Sequence, residues 1–346
     1  MWTRRCSACA WSARPPDARR AGGRCGARRR RAWQALALLG CALGLWAAAG
    51  ACASLAYITN QGSNDVSVVD LAALRVVQTI AVGRSPAGVA VSARAGRAYI
   101  SNPDSRDISV IDLQSRARVA TVAAGSGPVG IAVSPDGSRL YAADWYADVL
   151  RVFDAASLQA LGAVPVGRAP AGIVVSPDGM RVYVAARDDD AVTVVDAQTL
   201  KPIATYRAGT HPFALGLTGD GRRLLALNVL SDDVSVIDLS DGRTVARVPV
   251  GKAPYGVSFD AAGRRAFVTN QHSASLSVID LESLKVVATW PACEYPEGIE
   301  VRGDRVYVVS WMEDALCVHD AKDGTRLGSV GLGRNPRGFG RFLDAR

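Results

Sequence analysis

Histidine, cysteine and glutamate are scarce in this sequence of 346 residues. It contains three histidines, and only two of its seven cysteines, Cys293 and Cys317, follow residue 53. From residue 54 onward there is no Cys-x-x-Cys pair, no haem attachment sequence, no Gly-x-Ser-x-Gly and no phosphate-binding glycine loop. Helical periodicity is also missing after residue 54. These absences argue against the thiol-redox, haem, serine-hydrolase and nucleotide classes that such motifs define, and against a mainly helical fold.

An overall basic charge on the main part of the chain is missing as well. The formal charge of +8 arises in residues 1–53, which hold ten of the 40 basic side chains and, in Asp17, one acid. The remaining 30 basic and 31 acidic side chains leave residues 54–346 near neutral. A near-neutral domain does not attract nucleic acid through its overall charge. Nucleic acid is therefore not an expected partner.

The N-terminal segment has the parts of a secretory signal. Four arginines at 28–31 precede an uncharged stretch at 32–53 that ends in Ala51-Cys52-Ala53. A basic region, an apolar region and a small-x-small site are typical of a cleavable leader, so we expect a signal peptide at 1–53 and a single domain at 54–346. An uncleaved anchor and a lipidated leader are the alternatives, and only they would bring membrane contact. All three predict a periplasmic or extracellular domain.

A repeat of about 42 residues runs through the rest of the chain. Three columns keep one register over seven copies: a proline, an aspartate, and an aromatic or apolar residue. The prolines stand at 86, 128, 170, 212, 254, 296 and 336, and the aspartates at 70, 112, 154, 196, 238, 280 and 320. This period, filled with strand-like segments, is typical of propeller blades.

Each copy contains four short β-rich runs separated by turns such as Ser134-Pro135-Asp136-Gly137. The sequence therefore predicts an all-β, seven-bladed propeller of four-stranded antiparallel blades, which we expect to be a monomer. The domain begins at a second strand, Leu55–Asn60, and ends just after a first strand, Gly338–Phe342. Pairing of these N- and C-terminal strands would close the ring and remove an exposed edge.

Short motifs recur within the copies, among them Tyr57-Ile-Thr-Asn60, Phe267-Val-Thr-Asn270, Val-Gly-x-x-Pro-x-Gly and Ser-Pro-Asp-Gly. In these motifs the chain resembles the YVTN-type, YncE-like propeller repeat family over essentially all of residues 54–346. The resemblance implies a secreted, periplasmic or surface protein that serves as a binding or accessory module. It supplies no shared catalytic motif. Related propellers include sugar lactonases and electron-transfer propellers that dock quinone or haem partners.

The copies differ most in the loops around the prolines. Because strand direction alternates, the second-to-third and fourth-to-first loops share one end of the ring, which we call the channel mouth. The opposite end keeps uniform Pro-Asp-Gly turns, so the mouth is the expected working surface. All five glutamates and several aromatics lie between 282 and 313, a composition that suits a cationic or amine-bearing ligand or a sugar. The ligand-binding candidates are His211, Tyr255, His272, Glu294, Tyr295, Glu297, Trp311 and Glu313, together with the basic residues Arg84, Arg168 and Arg337.

Other interpretations of these residues stay open. Trp311 also suits a gap between blades, with solvated acids around it. No cofactor is expected, although His211, His272 and Glu297 are a weak candidate for a metal site without close ligand spacing. His319 and the repeated aspartates, such as Asp70, are expected to be structural, with the aspartates accepting hydrogen bonds from the following turn.

Cys293 and Cys317 are an even pair in a domain expected to be exported, which predicts a disulfide. Cys293 replaces a loop glycine and Cys317 a strand serine, so a bond requires the loop to lie over the blade. Two inert thiols are the alternative.

We therefore expect an exported, non-enzymatic binding or scaffold propeller of the cell envelope. It would recognise a small ligand or a partner protein through its mouth loops. The alternative is an envelope enzyme or redox accessory, lactonase-like or quinoprotein-associated, that uses His211, His272 and Glu297.

Overall fold

The computed structural model describes residues 54–344, which are built almost entirely of short β-strands. The signal peptide or anchor predicted for residues 1–53 lies outside the described residues, as do residues 345 and 346. Across the described part of the chain, no helix is long and apolar enough to cross a bilayer. Helical structure there consists of two three-residue 3-10 turns, Arg187–Asp189 and Gln271–Ser273.

The strands form seven antiparallel groups, numbered here as blades 1 to 7 in chain order. Blade 1 contains β1 (Leu55–Asn60), β2 (Asp65–Asp70) and β3 (Arg75–Ala81); blade 2 contains β4 (Gly88–Ser92), β5 (Arg97–Asn102), β6 (Asp107–Asp112) and β7 (Ala117–Ala123). Blade 3 contains β8 (Pro128–Val133), β9 (Arg139–Asp144), β10 (Val149–Asp154) and β11 (Ala160–Pro165); blade 4 contains β12 (Pro170–Val175), β13 (Arg181–Ala186), β14 (Ala191–Asp196) and β15 (Lys201–Arg207). Blade 5 contains β16 (Pro212–Leu217), β17 (Arg223–Asn228), β18 (Asp233–Asp238) and β19 (Thr244–Pro249); blade 6 contains β20 (Pro254–Phe259), β21 (Arg265–Asn270), β22 (Ser275–Asp280) and β23 (Lys285–Pro291). Blade 7 contains β24 (Pro296–Arg302), β25 (Arg305–Ser310), β26 (Ala315–Asp320) and β27 (Arg326–Gly331), and β28 (Phe339–Arg341) follows it.

The second and third strands of each blade are more deeply buried than its fourth strand. Every residue of β1 is buried, whereas the outer strand β3 buries Ile80 and exposes Arg75 and Thr79. The aromatic column of the repeat is fully buried at Tyr57, Tyr99, Tyr141, Tyr183 and Phe267. Burying each such ring contributes roughly 1.5–3 kcal/mol. The predicted seven-bladed, all-β architecture is confirmed.

The C-terminal segment completes blade 1. The Tyr57 amide donates to the Phe342 carbonyl at 2.8 Å, and the Asp344 amide donates to the Leu55 carbonyl at 2.8 Å, so this segment runs antiparallel to β1. Ring closure by the two chain ends is confirmed. The sequence did not reveal that β28 also pairs in parallel with β4 of blade 2. Gly340 permits that approach, because a Cβ there would lie 2.4 Å from the carbonyl oxygen of Val89.

A carboxylate of blade 7 holds the closing segment. Oε2 of Glu300 accepts from the amides of Phe342 at 2.7 Å and Leu343 at 2.5 Å. Burial raises the pKa of Glu300 to about 7, against the lowering effect of Arg341. Glu300 was grouped by its sequence with the acids near the mouth, but its role in the fold is to anchor the last strand.

The aspartate column has the turn role predicted for it. Oδ1 of Asp70 accepts from the amides of Ala72 at 2.9 Å and Ala73 at 3.0 Å. In blade 7, Oδ1 of Asp320 accepts from the Lys322 amide at 2.7 Å. These side chains stabilise the turn between the third and fourth strands. Their role is therefore structural.

Candidate functional site at the channel mouth

The mouth loops of neighbouring strands are hydrogen-bonded to each other. In blade 2, the Arg84 amide before β4 donates to Oγ of Ser105, in the turn after β5, at 2.9 Å. The fourth-to-first and second-to-third loops therefore share one end of the ring, as predicted. Two of the predicted residues, His211 and Tyr295, precede a proline in left-handed backbone, with φ of 56° and 51°. This conformation is costly for a residue other than glycine and is found where a local structure enforces it.

A buried polar group, the axial cluster, joins blades 1, 6 and 7 at the mouth. It consists of Gln61, Tyr255, Gln271, Glu297 and Arg337. The guanidinium of Arg337 donates from Nε to Oε1 of Gln61 at 2.8 Å and from Nη1 to the Tyr255 hydroxyl at 2.9 Å. Nε2 of Gln271 donates to Oε1 of Glu297 at 3.1 Å. Tyr255, Glu297 and Arg337, three of the predicted residues, thus lie together because each stands one position after its repeat proline.

Burial controls the charges of the axial cluster. Desolvation raises the pKa of Glu297 to about 7, although Arg337 lowers it. Oε2 of Glu297 has no hydrogen-bond partner among residues 54–344, and it lies 3.8 Å from Nε of Arg337. Desolvation also raises the pKa of Tyr255. Burial alone would lower the pKa of Arg337, but Tyr255 and Glu297 hold it above its usual value. Glu297 is therefore a carboxyl group that changes charge near neutral pH.

Aromatic rings fill the axis beside this cluster. Phe213 stacks on Tyr255 with centroids 4.6 Å apart and contacts Phe339 at 4.9 Å. Trp145 reaches Phe213 across the mouth at 6.1 Å, and the guanidinium of Arg187 lies 5.3 Å from the Trp145 ring. Through Tyr255, these rings adjoin the axial cluster and make that side of it apolar.

A second aromatic group, the rim aromatics, lies at the edge of the mouth between blades 6 and 7. It consists of His272, Tyr295 and Trp311. The Tyr295 ring lies 5.6 Å from His272 and 5.5 Å from Trp311. Nε1 of Trp311 is buried and has no hydrogen-bond partner in the described part of the chain. The structure thus brings three more of the predicted residues together.

The other predicted residues lie apart from the axial cluster. Arg168 is exposed and is paired with Asp189 at 2.6 Å. Glu294 and Arg84 are exposed. Glu313 pairs with Arg326 at 2.8 Å, and its Oε1 accepts from the Glu294 amide at 2.9 Å. Of the basic candidates, Arg168 is therefore neutralised locally by Asp189, and Arg337 is half-buried within the axial cluster.

His211 also lies apart from the others. Its amide donates to Oδ1 of Asp190 at 2.9 Å, and its Nε2 is 4.0 Å from Oδ1 of Asp188. Among residues 54–344, one set of three metal-ligating side chains has all donor atoms within 4.8 Å of one another, and it is Cys293, Glu313 and Cys317. The alternative metal site at His211, His272 and Glu297 gains no support from this geometry.

The two cysteines lie side by side, and both are buried and free. A hydrogen bond with Cys317 and a smaller contribution from His319 lower the pKa of Cys293 to about 6, against desolvation. The same hydrogen bond, together with burial, raises the pKa of Cys317. The loop does lie over the blade, as a bond would require, and the disulfide itself stays a prediction.

The sequence analysis missed several residues of this site, namely Gln61, Trp145, Arg187, Gln271 and Phe339. Four of them occupy one column of the repeat, the position immediately after the second strand, which also holds Trp311. This column supplies a second ring of variable residues around the mouth. The signal was therefore present in the same periodicity that revealed the prolines.

A cleft also opens at the opposite end, between blades 4 and 5. Its carboxylates include Asp178, Asp196, Asp220 and Asp238. Each of them accepts hydrogen bonds from its own turn, as Asp196 does from the Thr199 amide at 2.7 Å. These acids serve the scaffold, and the mouth remains the better candidate site.

Two family models match segments of the chain. A model of the lactonase-type, seven-bladed β-propeller matches residues 53–200, and a model of the YNCE-like β-propeller matches residues 175–264. The chain is a seven-bladed β-propeller, and its residues 175–264 match the YNCE-like repeat model. The resemblance seen in the motifs is thereby confirmed. His272, Glu297 and Arg337 lie beyond both matched segments, and no curated protein sequence matches the chain.

Solved structures share the fold of this propeller at low sequence identity. Hydrazine synthase of Kuenenia stuttgartiensis is 20% identical with a TM-score of 0.70, over 77% of this chain and 92% of that one. A functionally unknown protein from Desulfotomaculum acetoxidans is 12% identical with a TM-score of 0.73, over 83% of this chain and 99% of that one. The dihydro-heme d1 dehydrogenase NirN, solved in complex with DHE, is 17% identical with a TM-score of 0.62, over 82% and 74% of the two chains. These likenesses concern the fold alone.

Proposed function

We propose that this protein is a non-enzymatic binding propeller of the cell envelope that captures an amine-bearing ligand, free or on a partner protein, at the mouth of blades 5 to 7. The observation that carries this proposal is the buried Oε2 of Glu297, which has no hydrogen-bond partner among the described residues. A buried carboxylate oxygen without a donor is costly, and a ligand that supplies an N–H donor removes that cost. An ammonium ion also offsets the charge that desolvation disfavours.

The surroundings of Glu297 support a cationic ligand. Arg337 is held by Gln61 and Tyr255, so its hydrogen bonds are directed away from Glu297. The rim aromatics present ring surfaces next to the same loops, and ring faces attract ammonium groups. Tyr295, which contacts both His272 and Trp311, is two residues from Glu297. Carboxylate and aromatic surfaces together suit an organic amine better than a simple metal cation.

Placement in the envelope rests on the sequence. The basic, apolar and small-x-small parts of residues 1–53 support export. A near-neutral charge over residues 54–346 and the variable mouth of a repeated scaffold support a binding role. No nucleophile paired with a base is found among the residues that the axial cluster brings together.

The test is a thermal-shift screen of primary, secondary and quaternary amines, with neutral sugars as comparison, followed by calorimetric titration of the hits. Glu297→Gln and Trp311→Ala should each weaken the best amine by about tenfold or more. Tyr146→Ala is the matched control, because Tyr146 is a mouth-loop aromatic of blade 3 that is 75% exposed. Equal affinity in the wild type and in both mouth variants would refute the proposal.

An enzymatic role is the second candidate, and one observation favours it. A carboxyl group with a pKa of about 7 suits general acid–base catalysis at neutral pH, and the lactonase-type model matches residues 53–200. In this case Glu297 would act as the general acid or base in the hydrolysis of a lactone, without His211, which is held at Asp188 and Asp190. A hydrolysis rate that follows the ionisation of Glu297 and is lost in Glu297→Gln would favour catalysis over binding.

A further inference from the structure

A compact group of metal-ligating side chains lies inside blade 7, in a place that the proposed amine site does not use. The sulfur atoms of Cys293 and Cys317 and a carboxylate oxygen of Glu313 all lie within 4.8 Å of one another. Cys293 is 1% exposed and Cys317 is fully buried. These residues come from the loop before β24, the turn after β25 and the strand β26, so the fold assembles them from three segments.

A buried histidine, His319, lies beside this group but outside the set whose donor atoms are all within 4.8 Å of one another, so it would complete the ligands by moving toward a bound ion. His319 lies two residues after Cys317 on β26, and so on the same face of the strand. Its Nδ1 is 3.1 Å from the carbonyl oxygen of Gly324. Because a carbonyl only accepts, the proton is on Nδ1 and the lone pair is on Nε2. Nε2 is buried with no hydrogen-bond partner within residues 54–344, and His319 is close enough to Cys293 to lower the pKa of that thiol.

The repeat shows that these residue types are not required by the scaffold. The position of Cys317 is serine in four other blades, at Ser67, Ser109, Ser235 and Ser277. The position of His319 is apolar in the other six, at Val69, Ile111, Phe153, Val195, Ile237 and Ile279. The position of Glu313 is serine at Ser63, Ser105, Ser231 and Ser273. Four ligand-type residues have thus replaced scaffold residues in a single blade.

A fifth change makes room for Cys293. The other six blades have glycine at that position, and at Gly251 a Cβ would lie 2.5 Å from Oγ of Ser273 and 2.6 Å from Cγ of Asn270. In blade 7 the asparagine is replaced by the shorter Ser310, whose hydroxyl donates to the Glu294 carbonyl at 2.5 Å. The asparagine-to-serine change therefore removes one of the two side chains that would obstruct a side chain at residue 293; the other is the serine whose place Glu313 takes.

We propose that Cys293, Glu313, Cys317 and His319 form a binding site for Zn²⁺. Two sulfurs, an imidazole nitrogen and a carboxylate oxygen are ligands that zinc prefers, and four of them complete its usual coordination. On binding, both thiols lose their protons to solvent, and the two thiolates balance the charge of the ion. Arg326, 2.8 Å from Glu313, balances the carboxylate. The ion would link Cys293, three residues before Pro296 in the mouth loop, to β26.

The experiment uses the full chain, reduced, stripped of metal with a chelator and titrated with Zn²⁺ against a chromophoric competitor. We expect about one ion per chain, release of protons on binding, and a sulfur-to-metal charge-transfer band when Co²⁺ replaces Zn²⁺. Cys293→Gly, Cys317→Ser and His319→Val restore residues of the other blades, and each should weaken Zn²⁺ binding by about tenfold or more. Glu294→Gln, a neighbouring exposed carboxylate, is the matched control and should bind normally.

Zinc should also protect both thiols of the wild-type chain from alkylation, a measurement that needs no variant. Uptake below about a tenth of an ion per chain, unprotected thiols, or full affinity in Cys317→Ser would each overturn the proposal. A chain whose two cysteines are bonded when isolated, and which still binds no zinc after reduction, would also overturn it and would favour the disulfide. None of these results bears on amine binding at Glu297.

Discussion

The guanidinium of Arg337 lies 3.8 Å from the carboxylate of Glu297, and both groups are largely buried at the channel mouth. An ion pair at this distance normally lowers the pKa of the carboxyl group. Here desolvation outweighs the attraction, and the pKa of Glu297 rises to about 7. The hydrogen bonds of Arg337 to Gln61 and Tyr255 explain the weak coupling, because they direct its N–H groups away from Glu297.

The first prediction concerns stability and pH. A carboxyl group whose pKa rises from 4.5 to about 7 on folding stabilises the folded state fully below pH 4.5, and this contribution is lost as the pH rises through 7. Urea unfolding should therefore show a free energy that falls between pH 5 and 7 by at most about 1.4 kcal/mol per pH unit for this group. Glu297→Gln should reduce the slope. Glu282→Gln, at an exposed turn, should leave it unchanged.

The second prediction tests the cation of the axial cluster. Arg337→Gln leaves Glu297 and Tyr255 without their positive neighbour, which should raise the pKa of Glu297 further. Removing one partner of a buried pair costs about 3–5 kcal/mol, and the loss should be larger at pH 8 than at pH 5, where Glu297 is protonated. Chemical denaturation at the two pH values measures the difference. Arg334→Gln, at an exposed arginine three residues away, should show no such dependence.

The third prediction tests the spatial reason for Cys293. In blade 6, Gly251→Ala would bring a Cβ within 2.5 Å of Oγ of Ser273 and 2.6 Å of Cγ of Asn270, so it should destabilise the fold by about 1–3 kcal/mol. Adding Asn270→Ser should recover part of that loss, as Ser310 does in blade 7. A double-mutant cycle gives the interaction energy. Gly219→Ala, where a Cβ would meet nothing within 4 Å, is the control, and strict additivity of the two changes would contradict the explanation.

The fourth prediction concerns ring closure. Phe342 is fully buried on the closing segment, so Phe342→Ala should cost about 3–5 kcal/mol in thermal or urea unfolding. Val119→Ala, at a residue 53% exposed on an outer strand, should change stability by less than about 0.5 kcal/mol. Similar stability of the two variants would show that closure contributes little.

The scaffold was predictable from the sequence because each blade repeats the same physical solution. The column containing Tyr57 and Tyr99 must be buried, and the column containing Asp70 must close a turn, so the residues themselves report the fold. Ring closure was predictable because the domain begins at the second strand of a blade and ends just after a first strand. The parallel contact of β28 with β4 was not predictable, because it depends on the backbone path at Gly340.

The site was predictable only in part. Tyr255, Glu297 and Arg337 share a repeat column, and that register placed them correctly on one ring. Which of them touch depends on side-chain reach across the axis, as in the contact of Arg337 with Tyr255. The repeat period predicts where each residue stands on the ring, but it does not predict which side chains are in contact. The burial that raises the pKa of Glu297 likewise arises only in the folded molecule, where Glu297 is 1% exposed.

The ionisation of Glu297 tests the central claim most directly. The chain contains five glutamates, so carbon NMR of labelled glutamate carboxyl groups can follow each one during a pH titration. With the strongest amine from the thermal-shift screen, we expect the midpoint of Glu297 to move from about 7 toward its ordinary range, because a bound ammonium stabilises the carboxylate. A midpoint that the bound amine leaves unmoved, or one already near 4.5 in the free protein, would contradict the account.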